Sequence, residues 1–233
     1  MRVGACQTAE ILGDIDAAVD VILACAEQAD VDLLLFPECF LQGYLPTPSF
    51  VRDHALALDE LPVRLAEVPH TLVLGLIERS GARYFNTAVV LDRGRVLGAY
   101  RKRFLTAGES VFTPGDTAPV FECAGVRFGI NICYDAQFPA AAAAVAAAGA
   151  KVLLLPAQNM MPRDRAPHWQ PRHNEIRRLR IEETGMWLVS ADVTGVRDDR
   201  IGLGPTCVLD PAGRVVAEVP TGTTGVAIAE IEP

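Results

Sequence analysis

The chain has 233 residues, half of them apolar and 21% charged, with a net charge of −8. A chain of this size and composition buries a sizeable core without a disulfide or metal staple. Its acidity repels nucleic acid and anionic lipid, and no apolar run reaches the roughly 20 residues of a membrane span, so neither kind of partner is expected.

Residues 3–6 read as a first strand. Residues 14–29 read as a helix: Ile15, Ala18, Val19, Ile22, Leu23 and Ala26 make one apolar stripe, with Asp14 as N-cap. A buried strand follows at 32–36, then a weaker helix at 48–67. Strands follow at 72–77 and 87–91, with a further one ending near Ala99. The second half runs strand 126–132, an alanine helix 139–148, strand 152–155, an amphipathic helix 168–184 and strands 187–190, 206–209 and 225–231. The alanine helix has Pro139 in its first turn and Gly149 just past its end, and Gly185 stops the amphipathic one.

Continuous apolar strands imply sheets covered on both faces. Both halves run strand, helix, strand, helix, strand, strand, a repeat of architecture without residue-level similarity. The expectation is an α/β fold, a four-layer α-β-β-α sandwich of two sheets with outer helices. No Ser/Gly/Pro-rich linker divides the halves, so residues 1–233 read as a single domain. The N-terminal residues are too polar after Cys6 for a signal peptide, and the six cysteines are scattered without a Cys-x-x-Cys pair. Free thiols and a cytoplasmic location are the expectation.

Three polar residues sit at the ends of apolar runs, where α/β sheets gather their ligands. Glu38 follows the strand before Phe36-Pro37, Lys102 lies in Tyr100-Arg101-Lys102-Arg103, and Cys133 follows Gly129-Ile130-Asn131-Ile132. Each alone has a bland reading: a surface acid, a solvated basic run, a core thiol. Together they suit one chemistry. A thiolate attacks an amide carbon, an ammonium stabilises the thiolate and the oxyanion, and a carboxylate carries the proton from thiol to departing amine.

These motifs resemble the nitrilase, or carbon–nitrogen hydrolase, superfamily over nearly the whole chain. Val3-Gly4-Ala5-Cys6-Gln7 resembles its first strand, and Phe36-Pro37-Glu38 its glutamate motif. Tyr100-Arg101-Lys102 with Leu105 resembles its lysine motif. Ile132-Cys133-Tyr134-Asp135 with Phe138-Pro139 resembles its cysteine motif. The resemblance implies Cys133 as nucleophile, Glu38 as general base and acid, and Lys102 as oxyanion stabiliser. It implies Glu109 as a supporting carboxylate and the Tyr134 N–H as an oxyanion-hole donor. It also implies a homodimer acting on small amides or carbamoyl-amides, with no cofactor.

The position of segment 156–165 resembles a pocket-lining loop of that family, in which Asn159 would hydrogen-bond substrate and Met160 and Met161 would wall an apolar pocket; an ordinary surface loop is the alternative. Tyr44 either faces the same pocket or packs. His168 and His173, five apart, do not share a helical face as ligands would, so no metal is expected. Arg172, Arg177, Arg178 and Arg180 read as a solvated helix face paired with Glu175, Glu182 and Glu183, in preference to an anion-binding cluster. Competing expectations are a small-nitrile hydrolase, a Cys–His hydrolase using His168 or His173, and a binding protein on the same fold.

Overall fold

The computed structural model describes residues 1–232. Its first half contains β1 (Arg2–Ala9), α1 (Ile15–Gln28), β2 (Leu33–Leu35), α2 (Pro48–His54), β3 (Thr71–Ser80), β4 (Arg83–Asp92) and β5 (Arg95–Arg101). The middle holds β6 (Val120–Cys123), β7 (Val126–Ile130), α3 (Pro139–Ala147), β8 (Val152–Pro156), β9 (Met160–Pro162) and α4 (Ala166–Thr184). The remainder is β10 (Trp187–Ala191), β11 (Val193–Arg197), β12 (Arg200–Leu203), β13 (Cys207–Leu209), β14 (Val215–Glu218) and β15 (Gly225–Glu230).

Among the described residues these strands make two sheets. One runs β5-β4-β3-β2-β1-β11-β12-β9, with β15 also paired to β1; the other runs β14-β13-β10-β8-β7-β6. The repeat seen in the sequence is a repeat of topology. In the first sheet β1, β2 and β3 are parallel neighbours, followed by antiparallel β4 and β5. In the second, β7, β8 and β10 are parallel neighbours, followed by antiparallel β13 and β14.

Side chains alternate across a strand, and here both faces are apolar. Leu33 and Leu35 enter a core between the sheets with Phe128, Ile130, Leu154 and Val189. Leu34, between them, packs instead beneath α1 with Val19 and Ile22. Leu153, Leu155 and Leu188 of the second sheet pack with Val145 of α3 and Ile181 of α4. Three apolar layers between four structural ones give the α-β-β-α sandwich. Each fully buried leucine contributes roughly 1.5–3 kcal/mol relative to exposure.

The helix boundaries follow local chemistry. The Asp14 carboxylate accepts from the Ala17 N–H at 3.0 Å and caps α1. Gly185, at φ +67°, ends α4 and donates its N–H to the Ile181 carbonyl at 2.7 Å. The helix expected over 48–67 is instead a seven-residue α2 and a separate 3-10 turn at Val63–Glu67. Backbone pairing explains the break. The Leu56 N–H donates to Ile77 at 3.1 Å and the Leu56 carbonyl accepts from Arg79 at 2.8 Å. That edge of β3 is open because β2 pairs it only as far as Val73. Pro62, lacking an N–H, then separates the two pieces.

The solvated face expected of α4 holds for Arg172 and Arg178 but is corrected for two residues: Arg177 and Arg180 are only 2% and 5% exposed. Arg180 keeps a bond to Glu183 at 2.8 Å, yet also donates to the Ala136 carbonyl at 2.9 Å. Arg177 donates to the Pro205 carbonyl and to Asn174. Ile181 of the same helix packs with Leu153, Leu155 and Leu188 of the second sheet. No helix among the described residues is long and apolar enough to cross a membrane.

Candidate active site

The carboxyl end of β2 carries Phe36-Pro37-Glu38. Cys39, next along, has φ +50°, and the bend lies hard against β3. A Cβ on Gly75 would sit 2.2 Å from the Pro37 carbonyl and 2.5 Å from the Cys39 N–H nitrogen. Only glycine lets the glutamate turn approach this closely.

Lys102 follows β5, and its N–H donates to the Asn86 carbonyl of β4 at 2.8 Å. Its Nζ donates to Glu38 Oε1 at 2.8 Å and to both oxygens of Glu109 at 2.8 and 2.9 Å. Asn86 Nδ2 bridges the two acids, 2.7 Å from Glu38 and 3.1 Å from Glu109. Glu109 sits in a 3-10 turn at Ala107–Glu109 and also accepts the Thr106 N–H at 2.8 Å. Two carboxylates and one ammonium thus share a site with side chains no more than 1% exposed.

That cluster divides the roles of its acids. Burial pushes the Glu38 carboxyl above its ordinary range; the Lys102 ammonium pulls it back, and the Glu109 charge adds to the rise. Burial disfavours the Glu109 charge too, but Lys102, the Thr106 N–H and Asn86 outweigh it and hold that carboxyl below its ordinary range. Burial likewise opposes the Lys102 charge, yet Glu38, Cys133 and Glu109 hold the ammonium well above its ordinary range. The two neighbouring carboxyls are thus pushed apart, Glu38 above its ordinary range and Glu109 below it.

Cys133 opens a 3-10 turn, Cys133–Gln137, just past β7. Its φ of +44° is left-handed, a strained setting for a residue with a Cβ. Asp135 holds this turn against the lysine segment. One oxygen accepts from Tyr100 OH and the Ile132 N–H, each at 2.8 Å. The other accepts the N–H groups of Arg103 and Phe104 at 3.2 and 2.8 Å. The Cys133 thiol is pushed well above its ordinary range, by burial and then by the Glu38 charge. Lys102 and the Gln158 N–H pull the other way. Burial thus favours the thiol form of the sulfur.

Glu38, Lys102 and Cys133 line one cavity of about 530 Å³. Tyr44, Tyr134 and Asn159 line it as well. Tyr134 is exposed at 37% and its ring meets Phe138 edge-on, so its side chain is a rim group. Its N–H lies at the start of the helical turn, where no intrahelical partner is available. Tyr44 is half-buried, and burial with the Glu38 charge drives its phenol up, so it stays neutral. Glu109 lies beneath the cavity on Lys102 rather than in its wall.

Met160 and Met161 do wall the cavity, but the loop expected at 156–165 contains β9, paired with β12. His173 also lines it, stacked on Trp169, and burial beside Arg177 pushes its pKa down to about 3. No histidine among the described residues hydrogen-bonds the Cys133 sulfur, whose side-chain partner is Asn159 at 3.7 Å. Sequence reading missed Asn86 and Asp192, placed Arg177 on a solvated helix face, and left Asp135 unassigned. The signal for Asn86 is a carboxamide in the middle of an apolar strand.

An α-β-β-α sandwich with a thiol above a buried carboxylate–ammonium cluster defines the class of enzymes that hydrolyse amide carbon–nitrogen bonds. The Carbon-nitrogen hydrolase family profile matches residues 2–233, and the chain belongs to that family. It is 30% identical over 211 residues to an (R)-stereoselective amidase from Pseudomonas sp, covering 88% of this chain and 74% of the amidase. It is 29% identical over 215 residues to a glutamine-dependent NAD(+) synthetase from Rhodobacter capsulatus. That match takes in 88% of this chain but 38% of the synthetase, so this chain spans well under half the length of that relative. An amidase of known structure from Nesterenkonia sp. AN1 superposes with a TM-score of 0.84 at 26% identity, over 100% of this chain and 93% of the amidase. Another structure of that amidase holds the product of Michael addition of acrylamide at its active-site cysteine.

Proposed function

We propose that this chain hydrolyses small non-peptide amides to carboxylic acid and amine through a thioester on Cys133. The observation that carries the reading is the single cavity lined by Cys133, Glu38 and Lys102, with Glu38 held ready to accept a proton. Glu38 takes the thiol proton as the sulfur attacks the carbonyl carbon. The carbonyl π electrons move to oxygen, where the Lys102 ammonium and the Tyr134 N–H receive the charge. Collapse breaks the C–N bond, and Glu38 returns its proton to the departing nitrogen. Water then attacks the thioester; Glu38 removes its proton and hands it back to sulfur as the acid leaves. Glu109 keeps Lys102 charged and aimed.

Tyr44 and Asn159 belong to the substrate-binding wall in this reading. The two sheets share one core and form one domain. A reducing, cytoplasmic setting belongs to the same reading, in keeping with six cysteines scattered along the sequence. The family resemblance carries the expectation of a homodimer, for which light scattering is the check. The test of function is a panel of small amides, carbamoyl-amines and nitriles with ammonia as readout. Ammonia release from amides that disappears in Cys133→Ala supports the reading; turnover persisting in that variant overturns it.

A further inference from the structure

The three parallel strands β7, β8 and β10 are neighbours, and each releases one polar residue at its carboxyl end: Cys133, Asn159 and Asp192. Asp192 is fully buried. Its Oδ1 accepts the Asn159 backbone N–H at 2.9 Å, and its Oδ2 accepts Asn159 Nδ2 at 2.5 Å. The side-chain bond fixes the carboxamide, because only its nitrogen can donate to a carboxylate. Asn159 Oδ1 is therefore turned toward the cavity, where it takes only the Cys133 S–H, at 3.7 Å. A long bond from a weak donor is easily exchanged for a better one.

The Asp192 charge has its own support. The Arg177 guanidinium lies 3.9 Å away, itself buried and held by the Pro205 carbonyl at 2.8 Å and Asn174 at 2.9 Å. A cation and an anion are both kept out of water to orient one neutral side chain. The mechanism above uses neither of them.

Two acceptors beside the sulfur thus face the cavity. Glu38 spends Oε1 on Lys102 and Asn86, and among the described residues no bond is made to its Oε2. Asn159 Oδ1 is the other. A primary carboxamide brings two N–H bonds on its leaving nitrogen. We propose that Asn159 accepts one of them while Glu38 faces the other, so that Asn159 makes the site discriminate amides from acyl compounds lacking that N–H, with Asp192 and Arg177 as positioning residues. This inference rests on the thioester reading and names a specificity-determining residue for it.

The test compares a primary amide with the methyl ester of the same acyl group, which reaches the same thioester without an N–H to recognise. The readout is the ratio of their kcat/KM values in purified wild type, Asn159→Ala and Asp192→Asn. The ratio is expected to fall at least tenfold in Asn159→Ala. It falls in the same direction in Asp192→Asn, whose neutral partner lets the Asn159 carboxamide turn over. A merely structural role lowers both substrates together and leaves the ratio unchanged, which overturns the proposal. Asn159→Ala trims a cavity-facing side chain, so it carries the test if Asp192→Asn fails to fold; Asn159→Ser replaces it if its circular dichroism is not native. Cys133→Ala separates the two claims. Turnover surviving in it sinks the thioester reading, whereas its inactivity beside an unchanged ratio in the Asn159 variants sinks this inference alone.

Discussion

Replacing Asp135 by asparagine changes one atom and tests how the site is held together. Each carboxylate oxygen of Asp135 accepts two donors: Tyr100 OH and the Ile132 N–H on one, the Arg103 and Phe104 N–H groups on the other. In Asp135→Asn, whichever way the carboxamide lies, its NH2 meets two groups that donated before. The Tyr100 hydroxyl can turn to accept, but a backbone N–H cannot, so at least one charge-assisted bond is lost and at least about 1.5–3 kcal/mol of stability goes. For a chain of this length each kcal/mol lowers Tm by roughly 2–4 °C, giving a fall of roughly 3 °C or more. The same change frees the Cys133 turn from the lysine segment, and a misplacement near 1 Å costs about 100-fold in rate. Calorimetry and kcat on the same preparation measure both effects. A variant melting within about 2 °C of wild type with unaltered kcat would refute the claim that Asp135 ties sulfur to ammonium.

Three further outcomes follow from the site. In Glu109→Gln the charge that helps raise the Glu38 carboxyl is gone. Activity is lost on acidification as Glu38 protonates, so the acid limb of the kcat/KM profile moves to lower pH; a limb that stays put or rises argues against Glu38 as the proton carrier. Gly75→Ala places a methyl 2.2 Å from the Pro37 carbonyl. It displaces Glu38 and lowers kcat/KM by about 100-fold, and an active, normally stable variant contradicts the close approach. Arg177→Met leaves the Asp192 carboxylate buried without its cation, at a cost of about 3–5 kcal/mol in urea unfolding; a change below about 1 kcal/mol means that Asp192 does not depend on Arg177.

Much of the architecture was legible because its strands are long apolar runs and its helices carry cap signals. Asp14, Pro139 and Gly185 mark their helix ends in both sequence and structure. The meeting of Glu38, Lys102 and Glu109 was legible only through the family motifs, since residues 64 positions apart have no local signal of contact. Arg177 was misread because charge pattern along a helix says nothing about what the helix lies upon. The short strands β6, β9, β11, β12 and β14 were missed because three to five residues of mixed polarity, set by their partners rather than by themselves, carry little periodicity. Asp192 reads as an ordinary strand end until its neighbours across the sheet are known.

Glu38 and Lys102 are delivered by one sheet and Cys133 by the other, with small residues such as Ala5, Ala88 and Ala191 in the layer separating them. The thickness of that layer is thus a gauge on the chemistry. Enlarging one of these alanines acts as a shim: it pries the two reactive partners apart without touching either, and turnover responds to a substitution made in dry interior. Distance in this enzyme is set by what fills the middle, so variants that retune it should be sought among interior methyl groups as readily as at the cavity mouth.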